Sequence, residues 1–248
     1  MKAVGVIPAR YGSTRFPGKP LAKILGKPLL QWVIEAAKSS QRLSEVIVAT
    51  DHGEIFDFVE GLGAKVVMTA SDLPSGSDRV YAATLTSDAD IIVNIQGDEP
   101  LLEGQLLDRL IQPLQEDPKL EISTLASPLE SDEIFNKNVV KVLVDQSHNA
   151  IYFSRYPIPY SRLDATPPYR ACFKHMGLYA YQREFLKTFC MQKPVELELA
   201  ESLEQLRALY LGAKIRVVSV DSHLHGVDTP EDIQKVEKIL QKKGSHGS

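Results

Sequence analysis

Residues 3–68 alternate between short apolar runs and amphipathic stretches, and that alternation leaves few folds open. Ala3, Val4, Val6 and Ile7 form a nearly continuous apolar run, Val46-Ile47-Val48-Ala49-Thr50 a second, and Lys65 to Met68 a third. Such runs suit strands buried on both faces of a parallel sheet. Between them Leu29, Leu30, Val33, Ile34 and Ala37 fall on one helical face behind Pro28. Ile55, Phe56, Val59 and Leu62 do the same ahead of Gly63. Pro fits the first turn of a helix and Gly the position after its last. Strand and helix alternating at this spacing predict a parallel sheet with right-handed crossovers, an α/β fold.

The first of these strands breaks at Pro8 into a loop that reaches Leu21. It carries Gly12 and Gly18, three prolines, and the cations Arg10, Arg15 and Lys19, with no acid among them. Gly and Pro shape a loop that cannot continue a ladder. Its peptide N–H groups and three cations make a cationic concavity at the carboxyl end of a strand, where open α/β sheets bind phosphorylated ligands. It fits neither G-x-G-x-x-G nor G-x-x-x-x-G-K-[ST], because Gly18-Lys19 is followed by Pro20.

Further on, the polar segment Leu73 to Arg79 leads into a short helix expected over Val80 to Leu85. A strand from Ile91 to Ile95 ends in Gln96-Gly97-Asp98-Glu99-Pro100, a helix follows through Leu106 to Leu114, and Glu121 to Ala126 reads as a strand. The pattern then changes. Val139 to Val144 and Ala150 to Ser154 read as a hairpin, Arg155 to Tyr169 is irregular, and His175 to Tyr181 is strand-like. Leu199, Leu203, Leu206 and Leu209 predict one amphipathic helix ending at Gly212, followed by a strand from Ile215 to Val220. Thr229-Pro230-Glu231-Asp232 supplies the N-cap, the first-turn Pro and the acids that open a last helix.

Asp98 follows a β-branched strand and Gly97, so it projects at the carboxyl edge of the sheet. A carboxylate there suits Mg²⁺, which prefers a few carboxylates plus substrate phosphates; Gly-Asp is equally ordinary in turns. Asp228 stands just outside a helix N-terminus, where the helix dipole alone stabilises an acid. His175 reads as a donor to a sugar hydroxyl, though a lone strand His is more often structural; Arg155, Glu204 and Gln205 are individually unremarkable. Ser154 has no recognisable His–Asp partnership and no Gly-x-Ser-x-Gly elbow exists, which argues against nucleophilic hydrolysis. No side chain stands out as a general base.

With 248 residues and a net charge of −4 the chain suits a single domain over 1–243 and argues against a general nucleic-acid binder. No apolar run approaches the ~20 residues that span a bilayer. Cys172 and Cys190, without metal-ligand spacing, fit a reducing cytoplasm. Gly244 to Ser248 is expected to be an appended tail outside the fold.

Ile7 to Leu21 resembles the opening signature of the cytidylyltransferases that activate 3-deoxy-manno-octulosonate (Kdo). So do Ser75 to Arg79, Asn94 to Pro100, Tyr152 to Arg155, Lys174 to Tyr181, Leu203 to Arg207 and Val227 to Asp232, in order and over nearly the whole chain. The resemblance implies a Rossmann-like, mixed but mainly parallel sheet of the nucleotide-diphospho-sugar transferase type with an inserted hairpin region. It further implies CTP and Kdo as substrates, Mg²⁺ as cofactor, no nucleic-acid or membrane partner, and a homodimer. It divides the chain into a nucleotide-binding half, about 1–130, and a sugar-binding and dimerisation half, about 131–243. Carried over position by position, Arg10, Arg15 and Lys19 meet the triphosphate. Ser75, Gly76 and Gln96 line the cytosine pocket, with Arg79 also among the substrate-binding residues. Asp98 and Asp228 hold Mg²⁺, and Arg155, His175, Tyr179, Glu204 and Gln205 line the sugar site. Ser77 stands where the family usually has Thr, and Gly12 where relatives often have Ala.

The nearest alternative is a cytidylyltransferase for a related sugar acid, 8-amino-Kdo or a sialic acid. A nucleotide-diphosphate-sugar glycosyltransferase would normally show an Asp-x-Asp metal motif, and Gly97-Asp98-Glu99 is not one. A nucleotide sensor would bind CTP without releasing pyrophosphate.

Overall fold

The structure, a computed structural model, describes residues 1–12, 16–162, 171–222 and 224–245, with side chains as far as Lys242. Arg15 and most of the expected tail therefore lie outside the described residues. The chain divides into two compact units, Met1–Asp108 with Leu224–Ser248, and Arg109–His223.

The first unit opens with β1 (Ala3–Ala9), a small hairpin of β2 (Lys23–Ile24) and β3 (Lys27–Pro28), and α1 (Leu29–Lys38). It continues through β4 (Leu43–Thr50), α2 (Gly53–Gly61), β5 (Lys65–Met68), α3 (Gly76–Ala83), β6 (Ile91–Asn94) and the start of α4 (Gly104–Glu116). Four strands lie in the order β6-β1-β4-β5, all parallel. The predicted faces are the buried ones: Leu29, Leu30, Val33, Ile34 and Ala37 of α1 are sealed, as are Val46 to Ala49 of β4. Ala9 pairs with Thr50 and Thr50 with Met68, so the segments after these strands emerge at one edge.

One boundary differs from the sequence reading. Helix α3 begins at Gly76, not Val80, because Ser75 caps it: its Oγ accepts from the Asp78 amide at 3.2 Å and donates to Asp78 Oδ2 at 2.8 Å. Ser-x-x-Asp is a variant of the capping box.

The second unit holds β7 (Ile122–Pro128), β8 (Lys141–Val144), β9 (Ala150–Ser154), β10 (Cys172–Gln182), α5 (Arg183–Met191), α6 (Glu196–Glu201), α7 (Gln205–Tyr210) and β11 (Ile215–Ser219). Antiparallel pairing runs β9-β8-β10-β7, and β11 joins β7 in parallel. The β8–β9 hairpin is the expected insertion, closed by Asp145, whose Oδ1 accepts the amides of Ser147 and Asn149, each at 2.8 Å. The register of β10 against β7 shifts between Met176 and Tyr179, a bulge at Gly177 and Leu178. Last, α8 (Pro230–Ser245) returns the chain to the first unit, so Gly244 and Ser245 continue a helix.

Two further expectations are corrected. The single amphipathic helix ending at Gly212 is two helices, α6 and α7, separated by Ser202 at φ 52°; Leu199, assigned to its buried face, is 67% exposed. Buried Arg207 explains the break. It pairs bidentately with buried Glu198, Nε to Oε2 at 2.7 Å, and reaches the carbonyls of Phe189 and Gln192 at 3.3 and 3.2 Å. That ion pair folds α7 back against α5 and α6, and no apolar periodicity foretells it.

Candidate functional sites

The first unit carries a cavity of about 340 Å³ at the carboxyl ends of its strands, lined by Pro8, Ala9, Arg10, Gly12, Lys19, Pro20, Gly76, Gln96, Gly97 and Asp98. Backbone geometry builds it. Gly18, at φ 70°, donates its amide to the Tyr11 carbonyl at 3.0 Å and turns the loop so that Lys19 opens a short 3₁₀ turn. The Tyr11 ring stacks on His52 with centroids 3.9 Å apart, fixing the loop's first half. A Cβ at Gly97 would lie 3.0 Å from the Pro8 carbonyl oxygen, so only Gly lets the two strand-end loops approach this closely.

Lys19 is the centre of this site. Its Nζ donates to Asp98 Oδ2 at 2.7 Å and lies 3.7 Å from Asp228 Oδ1. The amide of Val227 donates to the Asp98 carbonyl at 2.9 Å, which docks the segment before α8 against the end of β6. Asp98 and Asp228, 130 residues apart in the chain, thus converge on one ammonium. Asp232 accepts the amides of Asp228 and Thr229 at 3.2 and 3.0 Å and so holds Asp228 at the helix start. Lys235, those amides and the Thr229 hydroxyl keep the Asp232 carboxyl well below the usual carboxylate range.

Arg10 lines the cavity and donates to the Leu73 carbonyl at 2.8 Å; among the described residues it meets no carboxylate. Arg79, expected to bind substrate, does not line the cavity. Its side chain is fully buried, paired with Asp51 at 2.7 Å and with the Thr69 hydroxyl. Burial lowers its pKa despite Asp51, and the nearby Arg10 charge lowers it further. Its place is therefore beneath the site. Gly76 and Gln96 line the cavity, and Ser75 caps the helix on which Gly76 stands.

Among the described residues no group of three or more His, Cys, Asp or Glu could hold a metal ion alone. Two carboxylates sharing one cation do fit Mg²⁺, which takes one or two carboxylates and completes its shell with water and phosphate oxygens.

The second unit has its own cavity, about 290 Å³, lined by Asn138, Val139, Val140, Lys174, His175, Gly177, Tyr179, Leu203 and Gln205. His175 and Tyr179 come from β10 on either side of the bulge, and Gln205 opens α7. Burial depresses the His175 imidazole to about 3, so it is neutral at pH 7. Burial, with Tyr181 and Glu204 nearby, raises the Tyr179 phenol well above its usual range. Glu204 precedes α7 and is felt electrostatically by Tyr179, though it does not line the cavity. Nor does Arg155, whose guanidinium is taken up by the carbonyls of Glu201 at 2.8 Å, Lys137 at 3.2 Å and Ser202 at 3.3 Å. It holds the α6–α7 junction instead.

Sequence reasoning missed Thr124, fully buried on β7, whose hydroxyl lies 3.0 Å from His175 Nε2. Its only signal was Gly177 interrupting a strand pattern, which marks a bulge needing a partner. Lys141 was missed too. Fully buried, it donates to the carbonyls of Asn136 at 3.0 Å, Val139 at 2.7 Å and Arg155 at 2.6 Å, bracing the cavity wall.

A family model described as cytidylyltransferase matches residues 4–215. The 3-deoxy-manno-octulosonate cytidylyltransferase of Bdellovibrio bacteriovorus is 57% identical over 246 residues, covering 98% of this chain and 100% of the relative. That of Geobacter metallireducens is 46% identical, covering 98% and 99%. A solved CMP:2-keto-3-deoxy-manno-octonic acid synthetase complexed with CTP superposes with a TM-score of 0.92 at 41% identity, covering 98% and 100%.

Proposed function

The chain belongs to the cytidylyltransferase family, among the 3-deoxy-manno-octulosonate cytidylyltransferases, and from that premise we propose how its residues transfer CMP from CTP to Kdo. The product, CMP-Kdo, feeds lipopolysaccharide biosynthesis. The observation that carries the reading is the convergence of Asp98, Asp228 and Lys19 at the strand ends of a unit whose fold a CTP-bound relative shares.

In this reading the anomeric hydroxyl of Kdo attacks the α-phosphorus of CTP. The bond from that phosphorus to the bridging oxygen breaks, pyrophosphate leaves with the electron pair, and the hydroxyl proton passes to water. Lys19 and Arg10 place fixed positive charge where the phosphates sit, and Arg15 completes the set. Such charge stabilises the transition state because it needs no reorganisation. Asp98 and Asp228 are the residues that would hold Mg²⁺, whose positive charge polarises phosphoryl oxygens. Gly76, on the helix that Ser75 caps, and Gln96, in the loop after β6, form the wall for cytosine. Arg79 supports that wall from below. His175, Tyr179 and Gln205 receive the sugar, while Glu204 and Arg155 fix the helix junction beside them.

A homodimer accords with apolar side chains left exposed in the second unit, among them Phe135 at 75%, Ile151 at 58% and Tyr210 at 65%. Light scattering at micromolar concentration tests it. A cytoplasmic setting accords with the need for CTP and with two cysteines that form no disulfide. Among the described residues no helix is long and apolar enough to cross a membrane.

The test of the whole reading is pyrophosphate release from each of the four nucleoside triphosphates, with Kdo, 8-amino-Kdo, N-acetylneuraminate or no acceptor. Release from CTP with Kdo, and from no other pair at comparable rate, is the expected result. Faster release with a different acceptor reassigns the sugar, and CTP binding without any release makes the protein a sensor.

A further inference from the structure

The Thr124 hydroxyl sits where β10 bulges away from β7. Its Oγ1 lies 2.8 Å from the Leu178 carbonyl oxygen, 3.2 Å from that of Met176 and 3.0 Å from His175 Nε2. A hydroxyl has one proton, and carbonyl oxygens only accept. That proton is therefore committed to the bulge carbonyls, and what Oγ1 offers the imidazole is a lone pair. Nε2 must then carry a hydrogen and donate it. Were Nε2 the acceptor, two carbonyl oxygens would face an oxygen with no proton left for them.

Among the described residues the other ring nitrogen has no protein partner. His175 makes no hydrogen bond from Nδ1 among the described residues, yet this atom is not among the sealed, unsatisfied ones, and the residue lines the cavity. Phe153 and Tyr179 flank the ring, with centroids 4.9 and 5.4 Å away.

We propose that Thr124 is a positioning residue of the sugar site: it fixes His175 as the Nε2–H tautomer and so presents Nδ1 to the cavity as a hydrogen-bond acceptor. The group His175 recognises is then a hydroxyl donor on the ligand, not a carboxylate or a carbonyl. A polyhydroxylated sugar acid meets that demand through its chain or ring hydroxyls, and its carboxylate must be met elsewhere. The depressed basicity of the imidazole agrees, since a protonated ring would donate from both nitrogens. The sugar's identity rests on the function proposed above; the tautomer does not.

Nitrogen-15 NMR of histidine-labelled, ligand-free protein at pH 7 reads the tautomer directly, with His175→Gln assigning the signal. The expected spectrum has protonated Nε2 and unprotonated Nδ1. An Nδ1–H tautomer or an imidazolium overturns the proposal. In kinetics, Thr124→Val should raise KM for Kdo about five- to tenfold, leave kcat and KM for CTP within about twofold, and mix the tautomers, because an isosteric methyl offers no lone pair. Thr124→Ser should restore both readings. An unchanged KM for Kdo in Thr124→Val overturns the positioning role. If Thr124→Val does not fold, the wild-type spectrum and the Thr124→Ser kinetics still decide. A protein that shows the expected tautomer but does not turn over Kdo would refute the assigned substrate and leave the tautomer standing.

Discussion

At the residue scale, Lys19 occupies the focus of two carboxylates, at 2.7 Å from Asp98 and 3.7 Å from Asp228. In the proposed reading Asp98 and Asp228 would hold the divalent cation, so Asp98 should matter to turnover more than to affinity. Asp98→Asn should keep CTP affinity within a few-fold while lowering kcat about a hundredfold or more, roughly 3 kcal/mol of transition-state stabilisation. Calorimetry and steady-state kinetics check it, and a variant with most of the wild-type rate at saturating Mg²⁺ removes Asp98 from the chemistry. His175 makes a pH prediction. Its imidazole is held at about 3 in the fold against an ordinary 6.5, because burial penalises the cation. Between those values the unfolded chain binds the proton that the native one refuses. Stability is thus unaffected above pH 6.5 and is lost as pH falls through the window toward 3. The melting temperature of His175→Gln should fall less than the wild type's between pH 7 and 4.5. Parallel falls would mean that the native imidazole accepts the proton.

At the scale of elements, the Glu198–Arg207 pair decides how α5, α6 and α7 meet, and Gln205 is placed at the cavity as a result. Truncating one member of a buried pair leaves the other charge uncompensated, which typically costs about 3–5 kcal/mol. Arg207→Met should destabilise by about that amount, read in urea unfolding, whereas Glu198→Leu combined with Arg207→Met should cost less than Arg207→Met alone. A double variant that loses the sum of the two single losses would mean that the pair is not coupled. This region also marks where the sequence stopped being legible. The strands and helices of residues 3–68 were readable because parallel strands and amphipathic helices write their burial directly into apolar spacing, as Val33 and Val48 do. Between Val195 and Tyr210 the organising residues are charged, and leucine periodicity ran straight across a break that Ser202 and Arg207 impose. α5 was overlooked for a related reason: Arg183 to Met191 buries Leu186 and Phe189 against β10 with too short an apolar pattern to stand out.

At the scale of the whole molecule, the motifs pointed to the right chemistry before any coordinates, but not to its assembly. That Asp98 and Asp228 meet follows from the return of α8 to the first unit and from the Val227–Asp98 backbone bond, a long-range contact no local pattern encodes. Conversely, Arg79 and Arg155 were carried over as ligand groups from the family resemblance, and the structure pairs Arg79 with Asp51 and Arg155 with the Glu201 carbonyl. The central claim is that this chain joins CMP to the anomeric oxygen of Kdo by attack at the α-phosphorus. Phosphorus-31 NMR of the reaction of CTP with Kdo carrying oxygen-18 at the anomeric hydroxyl tests it most directly. The account predicts one nucleoside monophosphate ester resonance shifted by the bridging label, with unlabelled pyrophosphate beside it. Free CMP as the product, or a sugar ester without the label at phosphorus, would contradict it.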